Sequence, residues 1–159
     1  IDFFENAFLV TRLQPVHINI SKRLVKTPKI YFNDTGILHY FLSISSGNQL
    51  HNSIYSGNSW EAFCINQIRA SLSNDIKLFF YRTQDGAECD LVFEKGGKVI
   101  YTAEIKYSNS PNVSKGNYIA WNDIKSEKNY VITPGSDDFP IDKNVRICSI
   151  STFIKKYLV

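Results

Sequence analysis

Between residues 77 and 106 the chain carries three extended runs, 77–82, 88–93 and 98–106, joined by Gln84-Asp85-Gly86 and by Lys95-Gly96-Gly97. Glycine at each junction supplies the backbone freedom that a tight reversal needs, so the runs are expected to fold as an antiparallel meander. Side chains of a strand alternate between its faces, which puts Glu104 and Lys106 on one face and Ile105 on the other. Placing Asp90 beside Glu104, fourteen positions later, on a neighbouring antiparallel strand would complete a cluster. Two carboxylates and an ammonium would share one small volume. Hard oxygen ligands so arranged suit a divalent cation, and an adjacent lysine suits hydrolysis by water.

Each residue also has a plainer reading. Asp90 fits the wet face of an ordinary strand, with Glu88 and Glu94, while Cys89, Leu91 and Phe93 face a core. Glu104 and Lys106 fit an ion pair at an exposed strand end, worth under about 1 kcal/mol. Glu104, however, follows Val99-Ile100-Tyr101-Thr102-Ala103, a nearly continuous apolar run of the kind found in a strand covered on both faces. An acid there costs desolvation unless it is paired or holds a cation. Glu61 lies in a helix expected over 59–72, whose apolar stripe is Trp60, Phe63, Cys64, Ile68 and Leu72 with Ile65 beside it. It borders that stripe and so points toward the sheet, or else it is the N3 residue of a capping box begun by Asn58. Both readings stand.

The rest of the chain frames this centre. A helix end is followed by runs 7–13 and 16–21, separated by Gln14-Pro15, which read as a half-buried hairpin with Phe8 and Val10 facing Val16, Ile18 and Ile20. Residues 22–29 hold Lys22, Arg23, Lys26 and Lys29 with Thr27-Pro28, and read as a solvated basic connector rather than a DNA-binding stripe. Asp34 is placed to cap a helix opening the apolar run to Ile44. Residues 43–59, rich in Ser, Asn and Gly, read as a loop. A helix is expected over 112–125 around Tyr118, Ile119 and Trp121, then strands at 129–133 and 145–150, and a terminal helix over 152–158 capped by Ser151. From residue 59 the order is helix, three-stranded meander, helix, strand, strand: a mixed α/β sheet with helices against its faces.

A length of 159 residues suffices for one domain with a real core. The net charge of +3 permits a nucleic-acid partner without announcing one. Cys64, Cys89 and Cys148 are far apart and form no C-x-x-C pair, which disfavours a disulfide framework or zinc site and suits a reducing, cytoplasmic setting. No apolar run nears the ~20 residues that span a bilayer, so no membrane partner is expected. His17, His39 and His51 show no ligand spacing, and no nucleophile elbow is present. Tyr81, Tyr101, Tyr107, Tyr118 and Trp121 could stack on bases, although aromatics at such spacing more often form core. The chain lacks methionine and begins mid-pattern with Ile1-Asp2-Phe3-Phe4-Glu5, which reads as a piece of a longer protein.

A helix bearing Glu61, a strand bearing Asp90 and a strand ending in Glu104-Ile105-Lys106 together resemble the PD-(D/E)XK nuclease superfamily, which includes restriction endonucleases and Holliday-junction resolvases. The Pro-Asp lead of that signature is absent, and Cys89 precedes Asp90 instead. Phe3-Phe4-Glu5-Asn6-Ala7-Phe8-Leu9-Val10, the segment from Pro28 through Asn33-Asp34-Thr35-Gly36 to Leu38, and Tyr81-Arg82 with Glu88-Cys89-Asp90 resemble the C-terminal domain of unknown function of bacterial and archaeal AAA+ ATPases. This resemblance covers nearly the whole chain. It implies a restriction-endonuclease-like αβββαβ core over 30–159, a linker over 22–29, and over 1–21 the tail of a winged-helix region, a helix end plus hairpin wing. It further implies an ATPase module in the same full-length chain. The present residues hold no G-x-x-x-x-G-K-[ST] loop, so ATP binding by that motif is not expected. Mg²⁺ or Mn²⁺ would sit on Asp90, Glu104 and the Ile105 backbone carbonyl, with Glu61 among its outer ligands. Lys106 would polarise the attacking water, and Arg82 would contact a DNA phosphate or pair with Asp85. A homo-oligomer is compatible with this reading. So is the same fold without catalysis, retained for binding or for coupling ATPase subunits.

Overall fold

The computed structural model describes residues 1–18 and 22–158, along which runs of helices and runs of strands succeed one another. In chain order they are α1 (Asp2–Asn6), β1 (Val10–Pro15), β2 (Lys29–Phe32), α2 (Thr35–Phe41), α3 (Gly47–His51), α4 (Ser56–Ser71), β3 (Ile76–Arg82), β4 (Glu88–Lys95), β5 (Lys98–Ile105), α5 (Lys115–Ile124), β6 (Asn129–Thr133), β7 (Asp138–Asp142), β8 (Val145–Ser149) and α6 (Ile150–Thr152), which runs on into a π-helical turn, Phe153–Tyr157. All eight strands join one mixed sheet in the order β2-β1-β3-β4-β5-β6-β8-β7. The meander forms as expected, β3 to β4 to β5 antiparallel, and Gly86, Gly96 and Gly97 take positive φ at its turns. Helix α5 then carries the chain across so that β6 pairs parallel to β5.

Two apolar layers sandwich the sheet. On one face Cys64, Ile65 and Ile68 of α4 and Phe153 pack on Leu91, Phe93, Tyr101, Ala103 and Ile132. On the other, Ala120, Trp121 and Ile124 of α5 pack on Tyr81, Cys89, Val92 and Val131. Strands β4, β5 and β6 are therefore covered on both faces, which explains their continuous apolar runs. Among the described residues no helix is long and apolar enough to cross a membrane.

Several local expectations are corrected. Gln14-Pro15 is not a turn: β1 continues through it, pairs antiparallel with β2 and sets Gln14 and Pro15 parallel to Phe79 and Phe80 of β3. Phe8 is 82% exposed, and residues 19–21 of the expected second arm lie outside the described residues. Strand β1 lies between β2 and β3 instead of closing a local hairpin. The loop at 43–59 contains α3, whose N-cap Ser46 accepts from the Gln49 N–H. Helix α5, opened by a capping box between Ser114 and Asn117, buries Asn117, Ala120, Trp121 and Ile124 against the sheet and leaves Tyr118 and Ile119 exposed. Ser149, rather than Ser151, caps α6. Strand β7 has no counterpart among the strands expected from the sequence; it lies at the sheet's edge, where Pro140 leaves no interior ladder bond unmade. Asp34 caps α2 as expected, accepting from the Gly36 N–H at 2.7 Å.

Candidate functional site

Strands β4 and β5 pair with Leu91 opposite Ala103, a register that sets Asp90 beside Glu104. The two acids are tied through the backbone: the Asp90 N–H donates to Glu104 Oε2 at 3.3 Å, and the Ile105 N–H donates to Asp90 Oδ2 at 3.0 Å. On its other side β4 carries a bulge. Val92 pairs with Phe79 but Cys89 with Tyr81, so Asp90 and Leu91 together oppose Phe80. The extra residue lets Cys89 and Val92 both face the α5 layer while Leu91 and Phe93 face the α4 layer. Bulges of this kind re-aim one side chain at the end of a ladder, and here that side chain is Asp90. Asp90 is 7% exposed and Glu104 4%, so neither belongs to a wet strand face.

Helix α4 begins at Ser56 with Tyr55 at its N-cap, which puts Asn58 inside the helix and removes the capping-box reading of Glu61. Phe63, at 39% exposure, turns outward and stacks on Trp60, while Ile65 is fully buried. The helix phase therefore aims Glu61 at the sheet. Its Oε1 accepts from the Tyr31 hydroxyl and, at 3.0 Å, from Lys29 Nζ.

Lys29 is the component that sequence reasoning missed. Read as part of a solvated connector, it is the first residue of β2, and its ammonium lies 3.0 Å from Glu61 Oε1, 2.9 Å from Glu88 Oε1 and 3.1 Å from Asp90 Oδ1. One ammonium with three N–H donors thus meets three carboxylates, above the Phe80 ring. Glu88, expected on a wet strand face, joins the cluster as well. Lys106 Nζ donates to Glu104 Oε1 at 2.7 Å, and its backbone N–H reaches Ile132 O, extending the β5–β6 ladder past Ile105. Arg82 stands at the rim, with Glu88 as its ion-pair partner at 3.7 Å. Asn117 ties α5 to β4 by donating to the Glu88 carbonyl at 3.1 Å.

Four carboxylates, from Glu61, Glu88, Asp90 and Glu104, thus surround two ammoniums, from Lys29 and Lys106. Burial pushes the Asp90 carboxyl upward, reinforced by the charges of Glu104 and Glu61 and opposed by Lys29. Burial likewise raises Glu104, against the lowering pull of Lys106. For Lys29 burial works against the charge, but Asp90 and Glu61 outweigh it and hold the amine protonated above its ordinary range. Lys106 is balanced the same way, burial being outweighed by Glu104. Burial is thus the first cause of both raised acids, while the formal count of four carboxylates against Lys29, Lys106 and Arg82 at the rim leaves the cluster with one negative charge more than positive. Among the described residues no three His, Cys, Asp or Glu side chains form a ready-made metal cage; the carboxylates converge on ammoniums instead.

The remaining candidates lie elsewhere. Tyr81, Tyr101 and Trp121 are core, whereas Tyr107 and Tyr118 are exposed. His39 bonds Ser59, His51 bonds the Tyr107 hydroxyl, and Cys64, Cys89 and Cys148 are free and buried.

Two segments of the chain match known families. Residues 1–48 match a domain of unknown function, DUF8612, and residues 56–153 match another, DUF4143, which is known to accompany AAA-type ATPase regions. The boundary separates Lys29 and Tyr31 from all four carboxylates. Proteins of Mycobacterium tuberculosis and Mycobacterium bovis, named uncharacterized protein Rv2008c and uncharacterized protein Mb2031c, are each 36% identical to this chain over 145 residues. That alignment covers 91% of this chain and 32% of each relative, so the chain spans about a third of their length. No solved structure matches. With residues 56–153 accounting for most of its sheet and every carboxylate of the cluster, the chain belongs to the DUF4143 family.

Proposed function

We propose that this chain is a nuclease-like module that hydrolyses phosphodiester bonds of DNA with Mg²⁺ or Mn²⁺, in the cytoplasm and alongside an ATPase module of its full-length chain. The observation that carries this reading is the buried pairing of Asp90 with Glu104, with Lys106 bonded to Glu104. The succession α4-β3-β4-β5-α5-β6, with its parallel β5–β6 crossover, agrees with a restriction-endonuclease-like core.

The donor set fits a divalent cation: hard carboxylate oxygens, buried, in a place where negative charge is in excess. Asp90, Glu104 and the Ile105 carbonyl would hold it, with Glu61 behind them. When bound, the ion would supply Lewis-acid polarisation of the scissile phosphate and activation of water. The protein's own groups do the rest. The Ile105 N–H fixes the orientation of Asp90. Lys106, kept cationic, presents N–H donors to the attacking oxygen and stabilises charge on the phosphate. Arg82 at the rim supplies a backbone-phosphate contact.

A second reading, a module of the same fold that binds nucleic acid or protein without hydrolysis, is favoured by one observation: Lys29 and Lys106 already engage the carboxylates. Cleavage assays on supercoiled, linear, single-stranded and branched DNA with Mn²⁺ or Mg²⁺ separate the two. Hydrolysis is expected only with metal, and is expected to vanish in Asp90→Asn, Glu104→Gln and Lys106→Ala. Cleavage unchanged in the folded variants, or none on any substrate, would overturn hydrolysis. DNA binding that survives Lys106→Ala without cleavage would favour the second reading.

A further inference from the structure

We infer that Lys29 is an intramolecular cation occupying the carboxylate cluster, which must leave when a divalent ion binds, so that the segment carrying it regulates the site. This rests on the reading that the cluster takes a divalent cation.

Geometry supplies the first argument. Lys29 Nζ lies within 3.1 Å of oxygens from Glu61, Glu88 and Asp90, and two of these residues are proposed metal ligands. A divalent cation and an ammonium repel each other and cannot share those oxygens at contact distance. Every oxygen of Asp90 and Glu104 already accepts a hydrogen bond: Asp90 Oδ1 from Lys29, Asp90 Oδ2 from the Ile105 N–H, Glu104 Oε1 from Lys106 and Glu104 Oε2 from the Asp90 N–H. The two side-chain ammoniums are the donors that can be exchanged without breaking the sheet. Of these, Lys29 holds the more carboxylates.

The second argument is the position of Lys29 in the fold. It opens β2, a four-residue strand at the sheet's edge that pairs with β1 alone. Its flexible four-carbon stem can swing the ammonium away while the backbone stays paired. Tyr31, on the same face of β2, donates its hydroxyl to Glu61 and so remains as a partner for that acid when Lys29 departs. The third argument is the family boundary. Lys29 belongs to the segment matched over residues 1–48, and its three partners belong to the segment matched over 56–153. The lysine thus latches one matched segment onto the carboxylates of the other within a single sheet, and its side chain alone has to move to open the cation site.

The test is Mn²⁺ binding to the metal-stripped chain, read by electron paramagnetic resonance of the free ion and by calorimetry, with no cleavage step. Lys29→Gln is expected to bind Mn²⁺ about tenfold more tightly than wild type, or better, and to gain more in unfolding midpoint on adding Mn²⁺. Lys29→Arg, which keeps the charge, is expected to bind no more tightly than wild type. If Lys29→Gln does not fold, Lys29→Gln combined with Glu88→Gln removes one carboxylate with the ammonium and carries the same expectation. Equal or weaker Mn²⁺ binding in the neutral variant, or none in either protein, would overturn the latch. Tighter binding without DNA cleavage would leave the latch standing and refute hydrolysis; cleavage by wild type without tightening would refute the latch alone.

Discussion

Replacing Lys106 by methionine keeps most of its stem and removes the charge that Glu104 depends on. The Glu104 side chain is 5% exposed, and its Oε1 lies 2.7 Å from Lys106 Nζ, whose side chain is 34% exposed. Breaking a fully buried ion pair by deleting one partner costs about 3–5 kcal/mol, and a hydrogen bond to a charged group contributes about 1.5–3 kcal/mol. Because Lys106 is a third exposed, solvent recovers part of the loss, and about 2–3 kcal/mol is expected. For a domain of this length that lowers the unfolding midpoint by roughly 4–12 °C. The cost depends on pH with a definite sign. Burial raises the Glu104 carboxyl and Lys106 lowers it, so the variant raises it further. An acid whose folded pKa lies above its unfolded one loses stability as pH rises through the folded value. The deficit is therefore largest at pH ~8 and shrinks toward pH ~5. Urea denaturation in chelator, on wild type, Lys106→Met, Glu104→Gln and the double variant, gives the coupling energy directly. Coupling below about 0.5 kcal/mol, or a deficit that does not change with pH, would refute the reasoning.

Three further outcomes follow from the same structure. Phe153 is fully buried against Phe93, Tyr101 and Tyr130, so Phe153→Ala should cost about 3–5 kcal/mol in urea denaturation; a loss under about 1 kcal/mol would mean the terminal turn does not seal that face. Metal-free wild type should lose stability as pH rises above ~4, where unfolded carboxyls ionise, because burial raises both Asp90 and Glu104 in the folded state; Asp90→Asn should flatten that slope, and an unchanged slope would count against the burial of that acid. Tyr31→Phe removes the hydroxyl bonded to Glu61 and should cost about 1–2 kcal/mol by thermal or urea unfolding, whereas no loss would mean water replaces it freely.

What could be read in the chain was what repeats over short distances. Glycine turns on either side of residues 88–95 are enough to fold β3, β4 and β5 as a meander, and alternation along 98–106 puts Glu104 and Lys106 on one face, while the register that sets Asp90 against Glu104 is fixed by the pairing itself. The 3.6-residue period located α4, but its phase went astray at Phe63, since apolar character does not reveal which side of a helix meets the sheet. Lys29 was illegible for a different reason. It lies 61 positions from Asp90 among other basic residues, and no local pattern distinguishes a lysine bonded to three carboxylates from one in water. The β1–β2 pairing was missed because Pro15 looks like a breaker, yet a proline at a strand end gives up little. The bulge at Asp90-Leu91 leaves no mark on composition, so the sequence leaves Glu88 on a wet face and Asp90 between wet face and site.

The most direct test of the central claim, that the four-carboxylate cluster is a divalent-cation site, is the location of Mn²⁺ by anomalous scattering from crystals of the chain grown or soaked with the ion. The account requires a peak about 2.1 Å from carboxylate oxygens of both Asp90 and Glu104, with the Lys29 ammonium displaced from Asp90. Crystals bearing Mn²⁺ elsewhere or nowhere, with Lys29 still bonded to Glu61, Glu88 and Asp90, would contradict it.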